Sequence, residues 1–153
     1  MHPAPHSVRI LLVEDSEDDL FFFKRSLKLA GAEAELVHQP DGRAAVTYLE
    51  RVLAGEERMP DMMFLDLKMP AFTGFEVLEW MGARQFSRPL PVAVLSGSEQ
   101  PGDVERALAL GATAYFVKPI LVQQLRTRIA DCTGPRGSGA ASGGFAARKA
   151  AAS

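Results

Sequence analysis

Five short, dense apolar runs, at 8–13, 34–37, 62–65, 92–95 and 114–117, constrain this chain more than any other feature. The second, Ala34-Glu35-Leu36-Val37, is the weakest. None alternates cleanly between polar and apolar residues, which fits strands buried on both faces, the mark of a parallel sheet. The segments between them carry helical signals. Ser16 is placed to cap a helix through Ala30, with Asp18 and Asp19 in its electropositive first turn. Leu20, Phe23, Leu27 and Ala30 then recur at helical spacing before Gly31 stops it. Phe21, Phe22 and Phe23 cannot all face inward from one helix, so one or two are expected at the surface. Asp41 is placed to cap a second helix carrying Ala45, Leu49 and Val52, ended by Gly55. Gly74 precedes a third, with Val77, Leu78 and Met81 apolar. A fourth runs from about Asp103 to Leu110, and a fifth, with Leu125 and Ile129, from about Leu121 to Ala130.

A strand–helix unit repeated five times demands right-handed crossovers and an open sheet with helices on both faces. The expected class is α/β: a flavodoxin-like doubly wound fold with a five-stranded parallel sheet in the order 2-1-3-4-5. The 153 residues, 47% hydrophobic and 24% charged, suit one such domain. It is expected over 7–131, after a flexible lead-in at 1–6. A Gly/Ala/Ser-rich tail at 132–153 is expected to be disordered, because Phe145 alone cannot offset the entropy of ordering so many small residues. Lys plus Arg against Asp plus Glu gives 17 − 19 = −2, with no positive surplus for nucleic acid. A single cysteine, Cys132, excludes a disulfide framework. His2, His6 and His38 are too scattered for a zinc site. No apolar stretch reaches membrane-spanning length, and the first six residues lack the apolar core of a signal peptide, so a cytoplasmic location is expected.

In doubly wound sheets, ligands bind beyond the carboxyl ends of the strands, near the switch point in strand order. The residues just past each run are therefore the informative ones. Glu14 and Asp15 succeed the first, Asp66 the third, Ser96-Gly97 the fourth and Lys118-Pro119 the fifth. Strands 1 and 3 are neighbours in the expected order, so three carboxylates meet at the switch point with a hydroxyl and an ammonium aimed at the same space. Two unit charges about 4 Å apart repel by about 4 kcal/mol at an effective dielectric near 20. Lys118 offsets part of that, and Mg²⁺, which takes carboxylate oxygens and leaves positions open for phosphate, would offset more. Such a site suits phosphoryl transfer onto a carboxylate.

The ordered set Glu14-Asp15, Asp66-Leu67-Lys68-Met69-Pro70 with Gly74, Ser96-Gly97 and Tyr115-Phe116-Val117-Lys118-Pro119 resembles the receiver domain of two-component response regulators. The resemblance covers residues 7 to 131. It implies that Asp66 is the phosphoacceptor and that Asp15 ligates Mg²⁺ directly, Glu14 through water and Lys68 through its backbone carbonyl. It makes Ser96 the switch hydroxyl that contacts the phosphoryl group, Tyr115 the switch aromatic, and Lys118 the partner of a phosphoryl oxygen. The chain departs from the family pattern in having Glu-Asp for Asp-Asp and Ser for Thr, which keeps the chemistry. Asp41-Gly42, Tyr48-Leu49, the long stretch from Glu50 to Pro60 and Glu76-Val77-Leu78 are similar to stand-alone receivers that partner phytochrome-type sensor histidine kinases. The implied function is a single-domain response regulator that is not an enzyme on foreign substrates, with a homodimer left open.

Two rival classes fit the sequence less well. A Mg²⁺-dependent phosphatase or phosphotransferase is disfavoured by the joint presence of Ser96 and Tyr115 and by the lack of a specificity insertion. A phosphorylation-independent binding module is disfavoured by intact Asp15, Asp66 and Lys118. The glycine spacing from Gly97 to Gly102 is not a P-loop, since Asp103 and Val104 stand where Lys and Ser or Thr are needed. Asp15 to Asp19 is not an EF-hand, since Leu20 replaces its glycine.

Overall fold

The computed structural model describes residues 7–133. Along the chain run β1 (Val8–Val13), α1 (Glu17–Leu29), β2 (Ala34–Gln39), α2 (Gly42–Leu53), β3 (Met62–Leu65) and α3 (Gly74–Gly82). They are followed by β4 (Val92–Ser96), α4 (Pro101–Ala109), β5 (Ala114–Val117) and α5 (Val122–Thr133). All strand pairs are parallel, in the order β2-β1-β3-β4-β5 expected from the sequence.

Successive strand residues point to opposite faces, so each apolar run feeds two cores. Leu11, Val13, Met63, Leu65, Val92 and Val94 pack with Leu49 of α2, Leu78 of α3 and Ala107 of α4. Ile10, Leu12, Phe64, Ala93 and Leu95 pack on the other side with Phe23 and Leu27 of α1 and Leu125 of α5. The Phe23 and Phe64 rings meet edge to face at 5.0 Å, a geometry worth about 0.5–1.5 kcal/mol beyond area burial. Phe21 and Phe22 stay exposed, which resolves the triple phenylalanine. Among the described residues no helix is long and apolar enough to cross a membrane.

Several boundaries differ from the sequence reading. Strand β2 runs on to Gln39 because its backbone keeps pairing with β1 as far as Val13. Helix α3 includes Gly74 as its first residue, and its cap is Thr73. Thr73 Oγ1 accepts from Glu76 N at 3.3 Å, and Glu76 Oε1 accepts from Thr73 N at 2.8 Å, a complete capping box. Helix α4 starts at Pro101, which suits a first turn because it has no N–H to leave unpaired. Helix α5 extends through Cys132 and Thr133, past the expected domain end at 131. The lead-in at 1–6 and residues 134–153 lie outside the described residues.

Gly74 is required by close approach. A Cβ there would meet the carbonyl oxygen of Asp66 and lie 2.8 Å from Leu67 Cα. Gly74 N also donates to Leu67 O at 3.1 Å, so α3 is clamped against the start of the β3–α3 loop. Gly74→Ala is expected to destabilise the fold by about 1–3 kcal/mol, the usual cost of overpacking, as read by urea unfolding. An unchanged midpoint would mean the loop can shift freely.

The long α2–β3 connection is pinned at the opposite end of the sheet by Arg9, whose side chain is 13% exposed. Its guanidinium donates to Tyr48 Oη (2.9 Å), Glu57 Oε1 (3.0 Å) and Glu35 Oε1 (3.0 Å). Asp61 Oδ2 accepts from Arg9 N at 2.8 Å. A half-buried guanidinium with so many acceptors is fully paired.

Candidate functional site

The register of the sheet builds the site. Val13 on β1 pairs with Leu65 on β3, so Glu14 and Asp66 leave the sheet side by side. Asp66 N donates to Val13 O at 3.1 Å, and Glu14 N donates to Gln39 O at 3.1 Å, which fixes both backbones. The Glu14 and Asp66 side chains are buried, while Asp15 is exposed. Glu14 Oε2 accepts from Ser16 N at 3.1 Å, and Asp66 Oδ1 accepts from Lys68 N at 3.2 Å. One carboxylate oxygen from each of Glu14, Asp15 and Asp66 lies within 4.8 Å of the others. These are hard oxygen donors with one open, solvent-facing member, a set that fits Mg²⁺.

Lys118 enters from the end of β5. Its backbone N donates to Ser96 O at 2.8 Å, and the Lys118–Pro119 peptide bond is cis. Its Nζ lies 2.8 Å from Asp19 Oδ2, 2.9 Å from Glu14 Oε1 and 3.4 Å from Asp66 Oδ2. One ammonium thus faces three carboxylates. Burial pushes the Glu14 carboxyl up to about 7, helped by the nearby Asp66 charge and opposed by Lys118. Burial also raises Asp66, against the pull of Lys118 and the Lys68 N–H. Burial works against the Lys118 ammonium, but Asp19 and Glu14, with Asp66, more than offset it and hold its pKa above the ordinary lysine value.

Ser96 ends β4 fully buried, and its Oγ accepts from Ser98 N at 3.1 Å. Tyr115, on β5 beside it, is half-buried and packs against the α2–α3–α4 side of the core. Its hydroxyl donates to Ser98 O at 2.8 Å. The Lys68 side chain turns away from Asp66 to pair with Asp103 Oδ2 on α4 at 3.2 Å. Ser98 Oγ donates to the same Asp103 oxygen at 2.8 Å. The two partners hold the Asp103 carboxyl below its ordinary range, the Ser98 hydrogen bond first and Lys68 next.

Glu14, Asp15, Asp66 and Lys118 are therefore brought together as expected, with Ser96 at the end of the adjacent strand. Two features escape the sequence reading. Asp19, read as a charge in the first turn of α1, keeps that place and also holds Lys118, and its position in the helix turn after Asp15 is the signal that could have found it. Ser98 and Asp103 join Lys68, Ser96 and Tyr115 into one polar chain. Side-chain pairing across such loops leaves no periodic trace in sequence.

Residues 10–130 match the response regulator receiver domain family. The probable methanogenesis regulatory protein FilR2 of Methanothrix harundinacea is 32% identical over 120 residues, 78% of this chain and 77% of that protein. The transcriptional regulatory protein PrrA of Mycobacterium tuberculosis is 33% identical over 136 residues, 89% of this chain. This chain spans about half of PrrA's length, 54%. Among solved structures, the bacteriophytochrome response regulator AtBRR superimposes with a TM-score of 0.71 at 33% identity, covering 84% of this chain and 94% of that one. The carboxylate cluster at the β1–β3 switch point, the lysine after β5 and the match over nearly the whole described domain agree: this chain belongs to the response regulator receiver domains, the signalling switches of two-component systems.

Proposed function

We propose that this receiver domain accepts a phosphoryl group from a sensor histidine kinase onto Asp66. The observation that carries this reading is the buried Asp66 carboxylate, 3.4 Å from Lys118 Nζ and clustered with Glu14 and Asp15 at the open end of the sheet. An Asp66 oxygen attacks phosphorus as the P–N bond of a phosphohistidine breaks. The P–O bond forms, and the electron pair leaves on the imidazole nitrogen, which takes a proton. Asp15 and Asp66 directly, Glu14 through water and the Lys68 carbonyl would hold Mg²⁺, which supplies charge neutralisation at the phosphoryl oxygens. Lys118 adds positive charge on the other side, and Ser96 is the hydroxyl that reads the new group. The likeness to AtBRR supports a phytochrome-type kinase as the donor.

The test is incubation with candidate kinases of the source and Mg²⁺, then mapping of the alkali-labile phosphoryl group. Label on Asp66 is expected, and label on any other residue would overturn the assignment.

Phosphorylation adds charge and acceptor oxygens near Ser96. Ser96 moving toward it would release its bond to Ser98 N and loosen the Ser98 carbonyl that holds Tyr115. The face formed by α4, β5 and α5 is then the state-dependent surface. Ser96→Ala is expected to leave Asp66 phosphorylation intact while abolishing the change in amide exchange over 103–130. If the mutant keeps the full exchange response, Ser96 is not the switch.

A further inference from the structure

The ammonium of Lys118 sits closest to Asp19, not to the proposed phosphoacceptor: 2.8 Å against 3.4 Å to Asp66. Asp19 belongs to the first turn of α1, where its N–H donates to Ser16 Oγ at 3.2 Å. Helix capping does not need its carboxylate, because Ser16 already caps and Glu17 and Asp18 also charge that turn. Three carboxylates lie within 3.4 Å of Nζ, and Asp19 accepts a hydrogen bond from it. A phosphoryl oxygen on Asp66 therefore gains a full bond to Lys118 only by drawing the ammonium off a partner.

Glu14 is the harder partner to leave. It is buried, its side chain is 1% exposed, and a buried carboxylate stripped of its cation bears a large penalty. Asp19 is 36% exposed, so water can replace the lysine. Asp19 is the partner that yields at least cost.

Resting on the assignment of Asp66 as phosphoacceptor, we propose that Asp19 is a positioning residue that competes with the phosphoryl group on Asp66 for Lys118. In the unphosphorylated protein it tethers the lysine to α1, and this contest sets how favourable the phosphorylated state is. A ligand or covalent group shifts a two-state balance only by its differential interaction, and the Asp19 pair is part of that difference.

The experiment measures beryllofluoride affinity in the presence of Mg²⁺ by calorimetry, on wild type, Asp19→Asn, Asp18→Asn and Asp19→Glu. Asp19→Asn is expected to bind about three- to fivefold tighter, the scale of one partly exposed ion pair. Asp18→Asn removes the same charge from the same turn without touching Lys118, and is expected to match wild type. Asp19→Glu keeps a carboxylate for Lys118 and is expected to restore most of the wild-type affinity. Equal gains in the two Asn variants would overturn the proposal by showing a general field effect. Weaker binding by Asp19→Asn would overturn it too, because Asp19 would then be orienting Lys118 toward the phosphoryl group. Wild-type protein that binds no beryllofluoride and takes no phosphoryl group would overturn the phosphoacceptor assignment itself, and the competition with it.

Discussion

Asp66→Asn is expected to take up no alkali-labile phosphoryl group and yet to melt at a higher temperature than the parent chain. The first half follows from nucleophilicity: a neutral amide cannot form the acyl phosphate, and no other carboxylate is placed like Asp66. The second half follows from charge. Asp66 is buried beside Glu14 and Asp15 without enough positive charge to match them, and burial raises its carboxyl. Asparagine keeps the size of the side chain and an oxygen to accept from Lys68 N, now 3.2 Å from Asp66 Oδ1. It removes one like-charge repulsion and one long contact to Lys118, which retains Asp19 and Glu14 at 2.8 and 2.9 Å. The balance favours the variant by about 1–2 kcal/mol in chelator at pH 8. Phosphoryl mapping checks the first half and thermal melting the second. A variant that melts lower would mean that the Asp66–Lys118 pair outweighs the repulsion.

Strands β1, β3 and β4 are readable from sequence because their apolar runs are buried on both faces, and the observed limits of β1, β3 and β5 coincide with the runs. Strand β2 is an edge strand with no fully buried residue, so its end at Gln39 depends on pairing with β1 and carries no apolar signal. Thr73 is easily overlooked as a cap because Gly74 beside it reads as a breaker. The role of Gly74 in the structure is close approach to Asp66. The acids of the site are legible because the topology sends every strand end to one edge, and the rule needs no side-chain detail. Asp19 is legible as a partner of Lys118 only through its place in the helix turn after Asp15, since 99 residues separate the two in the chain. The Arg9 network is invisible for the same reason, with its acceptors drawn from β2, α2 and the α2–β3 connection.

Mg²⁺ affinity is expected to fall about tenfold between pH 8 and pH 6, the ratio set by titration of one required carboxylate with a pKa near 7. Burial raises Glu14 to about 7 from an ordinary 4.5, so the metal-free fold binds this proton more readily than the unfolded chain does. Its contribution to stability is therefore present below about 4.5 and lost as pH rises through 7. Without divalent cation, the protein should melt lower at pH 8 than at pH 6. A divalent cation competes with the same proton, so its stabilising effect should run the other way and be largest at pH 8. Lys118 stays charged throughout this window, because its pKa is raised rather than lowered, and adds no slope of its own. Glu14→Gln separates the contributions. It removes the titrating group while leaving Asp15 and Asp66 as donors, so the pH slope of Mg²⁺ binding should flatten. Calorimetric titration at pH 6, 7 and 8 on both chains checks this. An equal slope in Glu14→Gln would move the titrating proton to another site, with Asp66, the other buried carboxylate whose pKa is raised, as its place.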